Sequence, residues 1–112
     1  MGPRGPWGNG PVLGSIETLC DYFVSAMLKM QAEGIKAVEV KEQPTIAFNA
    51  HVDAWQKRSV WTGGCRSWYK MGTTDGKCWV WPGGVLSYLK TIKHVRWEDY
   101  EVRYKNRNMW AL

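Results

Sequence analysis

Gly2, Gly5, Gly8, Gly10 and Gly14, with Pro3, Pro6 and Pro11 between them, fill the opening stretch "GPRGPWGNGPVLGS" at Gly2 to Ser15. Glycine allows φ > 0 and close approach of another group, while proline stiffens what glycine loosens. Such a stretch is either a disordered tail or a shaped cradle. As a cradle it would feed straight into a helix, whose free backbone N–H groups and dipole attract an electron-rich oxygen. Gly8, Gly10 and Gly14 space as G-x-G-x-x-x-G with no strand before them, so this is neither a dinucleotide fingerprint nor a Walker loop.

The other reactive side chains assemble nothing comparable. His51 and His94 have no carboxylate or hydroxyl spaced for a triad or metal site and read as surface or helix-face residues. Glu98 and Asp99 are adjacent, which in an extended segment points them to opposite faces, so they read as a solvated turn. Cys20, Cys65 and Cys78 match no zinc spacing. Cys65 stands near Arg66 and Lys70 but without a base, which favours a buried structural thiol. No catalytic or metal-binding residue emerges. Trp68, Trp79 and Trp81 could stack on bases or a flat ring, although aromatics on strands more often fill cores.

These residues need elements to position them. Ser15 can cap a helix over Ile16 to Glu33, with Glu17 near its positive end and Gly34 ending it. Ile16, Leu19, Cys20, Phe23, Ala26, Met27 and Met30 recur at three- and four-residue steps, the period of a buried helical face. "IKAVEVK" at Ile35 to Lys41 alternates as an extended segment. A second helix, with Pro44 in its first turn and Phe48, Val52 and Trp55 on one face, ends near Arg58. "SWYK" at Ser67 to Lys70 and "CWVW" at Cys78 to Trp81 are β-prone, and Asp75-Gly76 between them predicts an aromatic β-hairpin. Val85 to Lys93 reads as a short helix and "YEVRY" at Tyr100 to Tyr104 as a final strand. The fold class is α+β, a partial domain divided into a loop over 1–14, a helical segment over 15–59, and a hairpin and tail over 60–112.

At 112 residues the chain is at most one domain, and its eight tryptophans far exceed common usage. The net charge of +5 is spread rather than clustered, a diffuse polyanion signal. No apolar run reaches the roughly 20 residues of a membrane span. An odd cysteine count without a secretory leader reads as a reduced, cytoplasmic setting.

Two stretches resemble flavin-containing monooxygenases of the Baeyer–Villiger type, especially fungal members: "GPRGPWGNGPVLGSIE" at Gly2 to Glu17 and "CRSWYKMGTTDGKCWVWPGGVLSYL" at Cys65 to Leu89. The second is similar to the family's C-x-S-W-Y-K hairpin, W-P-G turn and the tyrosine four residues beyond. "RWEDYEVRY" at Arg96 to Tyr104 resembles the family's tail. The resemblance implies the C-terminal portion of a longer flavoprotein with two dinucleotide-binding domains. Such an enzyme uses NADPH to reduce FAD and inserts oxygen beside a ketone through a flavin peroxide. It further implies that Gly10, Val12 and Leu13 sit at the flavin, where backbone N–H groups meet the charge that builds on the reduced ring. Trp68 matches the tryptophan near the ribose of the nicotinamide cofactor.

Departures are equally specific. No G-x-G-x-x-G follows a strand, the family's F-x-G-x-x-x-H-x-x-x-W-P motif is absent, and Gly84 and Ser87 replace a serine and histidine common in fungal members. Without the phosphate-binding sites the chain alone is expected to bind FAD or NADP weakly or not at all, and to be catalytically inactive. Its long helix should then be left uncovered, favouring association with a missing N-terminal portion or with itself. Two readings stand beside this one. A small basic tryptophan-rich module could bind nucleic acid through its hairpin. A degenerate product would have no function.

Overall fold

Val12–Ala32 form helix α1, and the chain turns at Gly34, whose φ of +63° only glycine adopts readily. The structure, a computed structural model, describes residues 4–8 and 10–106. After Gly34 come strand β1 (Ile35–Val40), helix α2 (Glu42–Gln56), helix α3 (Val85–Thr91) and strand β2 (Tyr100–Tyr104). Short 3₁₀ turns occupy Val60–Thr62, Trp68–Lys70 and Trp97–Asp99. The class is α+β, with three helices and one two-stranded antiparallel sheet.

β1 and β2 pair with Val38 opposite Val102 and Val40 opposite Tyr100, slipping irregularly between Ile35 and Ala37. The Lys41 amide extends this ladder to the Asp99 carbonyl (2.9 Å), and the Lys105 amide extends it to the Gly34 carbonyl (2.8 Å). A two-stranded ribbon is marginal by itself, so neighbouring elements must hold it. Tyr22 of α1 does so through a 2.7 Å hydroxyl–hydroxyl hydrogen bond to Tyr100.

α1 begins four residues before the expected start. Pro11, not Ser15, occupies the N-cap, and the buried Ser15 hydroxyl instead donates to the Pro11 carbonyl (3.1 Å). Glu17 therefore lies beyond the first turn, which carries no acidic residue.

The predicted hairpin does not form. Trp68–Lys70 is a 3₁₀ turn, and what remains of pairing is a bridge from Ser67 to Thr73 and one backbone hydrogen bond between the expected arms, from the Trp79 amide to the Tyr69 carbonyl (2.9 Å). One reason is Lys70. Only 1% exposed, its ammonium donates to the carbonyls of Gly63, Cys65 (3.0 Å) and Thr74 (2.8 Å), winding residues 63–74 around one charge. Met71 closes the turn with φ +59°. The second reason is competition for residues 79–81: the Arg4 amide donates to the Trp79 carbonyl (3.1 Å) and the Trp81 amide to the Gly5 carbonyl (2.9 Å). The opening loop shares residues 79–81 with the expected hairpin partner, which keeps only the Tyr69 bond.

The core is small and lies where α2, residues 78–82 and α3 meet. Val52, Val80, Trp81 and Tyr88 are buried there, and Trp81 packs on Phe48 (5.8 Å between centroids) and Tyr88 (5.3 Å). Gln56 Nε2 donates to the Val80 carbonyl (2.9 Å) and Trp81 Nε1 to Ser87 Oγ (2.8 Å), satisfying the polar groups this burial traps. The radius of gyration is 17.2 Å, against about 13 Å for a compact domain of this length.

Replacing Lys70 with Met should orphan three loop carbonyls and cost about 2–4 kcal/mol, read as a lower urea midpoint. Asp53 gives a pH signature. Its carboxylate accepts from Lys77 Nζ (2.7 Å), and this hydrogen bond holds its pKa below the ordinary carboxylate value. A depressed folded pKa stabilises above the unfolded value and is lost as pH falls through it. The urea midpoint should therefore drop further between pH 5 and pH 3 in the native chain than in Asp53→Asn.

Candidate functional site

Three clamps shape the glycine-rich loop into a fixed surface. The first is Arg4, whose backbone φ of +67° is rare for a residue with a side chain. Its side chain is 9% exposed. It donates to the Cys78 carbonyl (2.9 Å) and Asn49 Oδ1 (3.3 Å), lies 3.8 Å from Asp53 and sits 5.1 Å from the centroid of the Trp79 ring. These contacts, with the two backbone bonds to Trp79 and Trp81, overdetermine the strained conformation. Pro6 follows, fully buried.

The second clamp is aromatic. Trp7 meets Trp68 edge to face (6.5 Å), Trp68 stacks on Tyr69 (4.0 Å, 29°), and Tyr69 meets Trp61 (4.8 Å). Gly8 passes so close that a Cβ there would lie 2.9 Å from the Trp61 ring. The third clamp is Gly10, with φ +147°, where a Cβ would lie 2.8 Å from Val85 Cβ. α3 thus fixes the last turn before α1.

Beyond Gly10 the N-terminus of α1 is open. No side chain caps it, and Val12 and Leu13 are exposed, Leu13 by 78%. The N–H groups of a first turn have no partner within the helix, so this end offers donors and positive potential to an electron-rich group. Gly10, Val12 and Leu13 share this end, while Trp68 joins the same loop through Trp7. Trp68 is 68% exposed, whereas Trp81 is buried and Trp79 lies beneath Arg4. The three tryptophans do not form one stacking surface, and the hairpin required for the nucleic-acid reading is missing.

The remaining candidates resolve simply. His51 and His94 are exposed. Cys65, expected to be a buried thiol, is exposed, and Cys78 is the buried one. Glu98 and Asp99 lie in a turn, as expected, and the 3₁₀ geometry brings both carboxylates to Arg96 Nε, at 3.0 and 3.4 Å. No group of three or more His, Cys, Asp or Glu able to hold a metal occurs among the described residues, and none of their helices is long and apolar enough to cross a membrane.

Sequence reasoning missed an open cleft of about 1140 Å³ between α1, α2 and residues 91–100, with Arg4, Tyr22, Phe48, Trp79, His94 and Tyr100 in its walls. Burial first, then the hydrogen bond to Tyr100, pushes the Tyr22 phenol well above its ordinary pKa. It also missed Arg4, although a lone charge inside a glycine–proline stretch is a usable signal.

Gly10→Ala should lower the melting temperature through both its φ and the Val85 contact. The double variant Gly10→Ala, Val85→Ala should recover part of that loss, measured as a double-mutant cycle.

No family model matches the chain, and no solved structure matches it. Curated proteins do. The chain is 40% identical over 99% of its length to the FAD-binding monooxygenase stcW of Emericella nidulans, covering 18% of that protein. It is 37% identical over 99% of its length to the FAD-binding monooxygenase moxY of Dothistroma septosporum, covering 18% of it. A probable FAD-binding monooxygenase, ltbD of Aspergillus luteorubrus, is 34% identical over 98% of the chain and covered to 23%. Along nearly its whole length, this chain is a homologue of one segment of fungal FAD-binding monooxygenases, spanning about a fifth of the length of each.

Proposed function

We propose that this chain is the C-terminal part of an FAD- and NADPH-dependent monooxygenase of the Baeyer–Villiger type, which inserts oxygen beside a ketone. In this reading the nucleotide-binding portions lie in polypeptide outside the chain. The observation that carries it is the N-terminus of α1, uncapped, exposed and without an acidic side chain in its first turn. An acid there would repel a ring that gains negative charge. Its absence leaves the amides of Val12 and Leu13 free to donate to the ring and stabilise that charge.

The residues present fit a flat ring. Gly10 lets the loop turn sharply enough to leave the helix end clear, and its packing on Val85 fixes where that end points. Trp68, largely exposed beside Trp7, is suited to the ribose of the nicotinamide cofactor. FAD when bound supplies the oxygen-activating chemistry, and NADPH supplies the hydride. This chain orients the ring and stabilises charge on it.

Because phosphate and adenine contacts supply most flavin affinity and are not represented here, the chain alone should be inactive and bind weakly. Riboflavin and FAD should therefore behave alike. In an amide NMR titration at millimolar ligand, both should shift Val12, Leu13 and Gly14 with affinities within about threefold of one another. Leu13→Asp should weaken both about two- to fivefold, the range set by a charge at a helix N-terminus. Shifts confined to other residues, or indifference to Leu13→Asp, would overturn the reading.

A further inference from the structure

Arg4 does more than pin the loop. Its side chain is only 9% exposed, yet the charge it buries is poorly matched. A guanidinium offers five N–H donors in a fixed fork. The Cys78 carbonyl and Asn49 Oδ1 accept from its terminal nitrogens, the latter at 3.3 Å, while the buried Nε has no acceptor among the described residues. The nearest carboxylate among those residues, Asp53, stands 3.8 Å away, beyond hydrogen-bond reach, and is itself held by Lys77 at 2.7 Å. Folded chains seldom bury a charge this way, because a buried charge without a close partner is costly.

Arg4 also lines the open cleft of about 1140 Å³. Around it the walls carry the rings of Tyr22, Phe48, Trp79 and Tyr100 and the side-chain amide of Asn49. The guanidinium lies over the Trp79 ring, 5.1 Å from its centroid, so the fork rests against a rigid face. The other arginine in the walls, Arg96, already has Glu98 and Asp99 at its Nε. The cleft therefore combines aromatic faces with one under-neutralised cation. A carboxylate matches a guanidinium fork with two parallel hydrogen bonds, and a flat ring matches the walls. The space is ample for a fused-ring molecule, since small-ligand sites run from about 300 to 1,000 Å³.

We propose that this cleft binds a planar aromatic carboxylic acid, with its carboxylate on Arg4 and its ring against the aromatic walls. None of Gly10, Val12, Leu13 or Trp68 lines the cleft, and α1 contributes only Tyr22, about 13 Å of helical rise beyond Leu13. The site is thus separate from the helix end assigned to the flavin and does not depend on that reading. Because Arg4 also ties the opening loop to Cys78 and Trp79, an occupant braces the loop and stabilises the fold.

Naphthoate is the probe, with its neutral amide and its ring-saturated counterpart as controls, each titrated into the whole chain by NMR. Naphthoate should shift the Trp79 indole and the Asn49 and Tyr100 amides together, and should raise the melting temperature. The neutral amide should bind about tenfold more weakly, having lost a charge-assisted hydrogen bond, and the ring-saturated acid about two- to tenfold more weakly. Arg4→Met, its fold checked by circular dichroism, should abolish the shifts. Since Arg4 also holds the loop, a second variant carries the test independently. Asp53→Asn lies outside the cleft walls and removes the competing carboxylate, so naphthoate should bind about two- to fivefold more tightly. Lys105→Gln, beyond the end of β2 remote from Tyr100, should leave binding unchanged. The proposal is overturned if naphthoate shifts only other residues, if the amide binds as tightly as the acid, or if Asp53→Asn leaves the affinity where it was.

Discussion

Two backbone hydrogen bonds, from Arg4 to Trp79 and from Trp81 to Gly5, decide most of what this chain becomes. They recruit a glycine-rich stretch as the edge partner of residues 79–81, a role that glycine and proline would not claim on propensity. Once that pairing exists, the Arg4 side chain has a carbonyl, an amide oxygen and an indole face within reach. Pro6 is then sealed, and Trp7 is delivered to Trp68. The loop ends up rigid at three points and free only where it opens onto α1. A tail would have lost the entropy of ordering with nothing in return.

This division of labour explains why the helix end can stay bare. Uncapped N-termini cost stability, typically about 1 kcal/mol relative to a good cap. Here Pro11 supplies a fixed φ but no acceptor, and the Ser15 hydroxyl that could have capped is turned to the Pro11 carbonyl. The helix is anchored from its sides, by Tyr22 on Tyr100 and Lys29 over Trp97, so its first turn remains available to a ligand.

What could be read from the sequence was local. α1, α2 and α3 announce themselves through steps of three and four residues, Gly34 through its place after the last apolar position, and β1 and β2 through alternation. Errors arose where a segment's partner is remote. Residues 78–81 look like half of a hairpin because Asp75-Gly76 precedes them, yet they keep one backbone bond to Tyr69 and make two with Arg4 and Gly5, more than seventy positions away. Lys70 falls within a segment expected to be a strand; nothing in its neighbours' types reveals that three carbonyls would converge on it. The flavin-side role of Gly10, Val12 and Leu13 came only from the resemblance, whereas the glycine turn running into a helix was legible because its signal is local. Arg4 was not, since its role depends on Trp79, Cys78 and Asn49 together.

The sequestered amine of Lys70 has a practical corollary. Its three protons are committed to Gly63, Cys65 and Thr74, and the residue is sealed from solvent. Acylating reagents that label surface lysines will reach it only when residues 63–74 open, so the pace of its modification is a built-in clock for local unfolding beside Trp68.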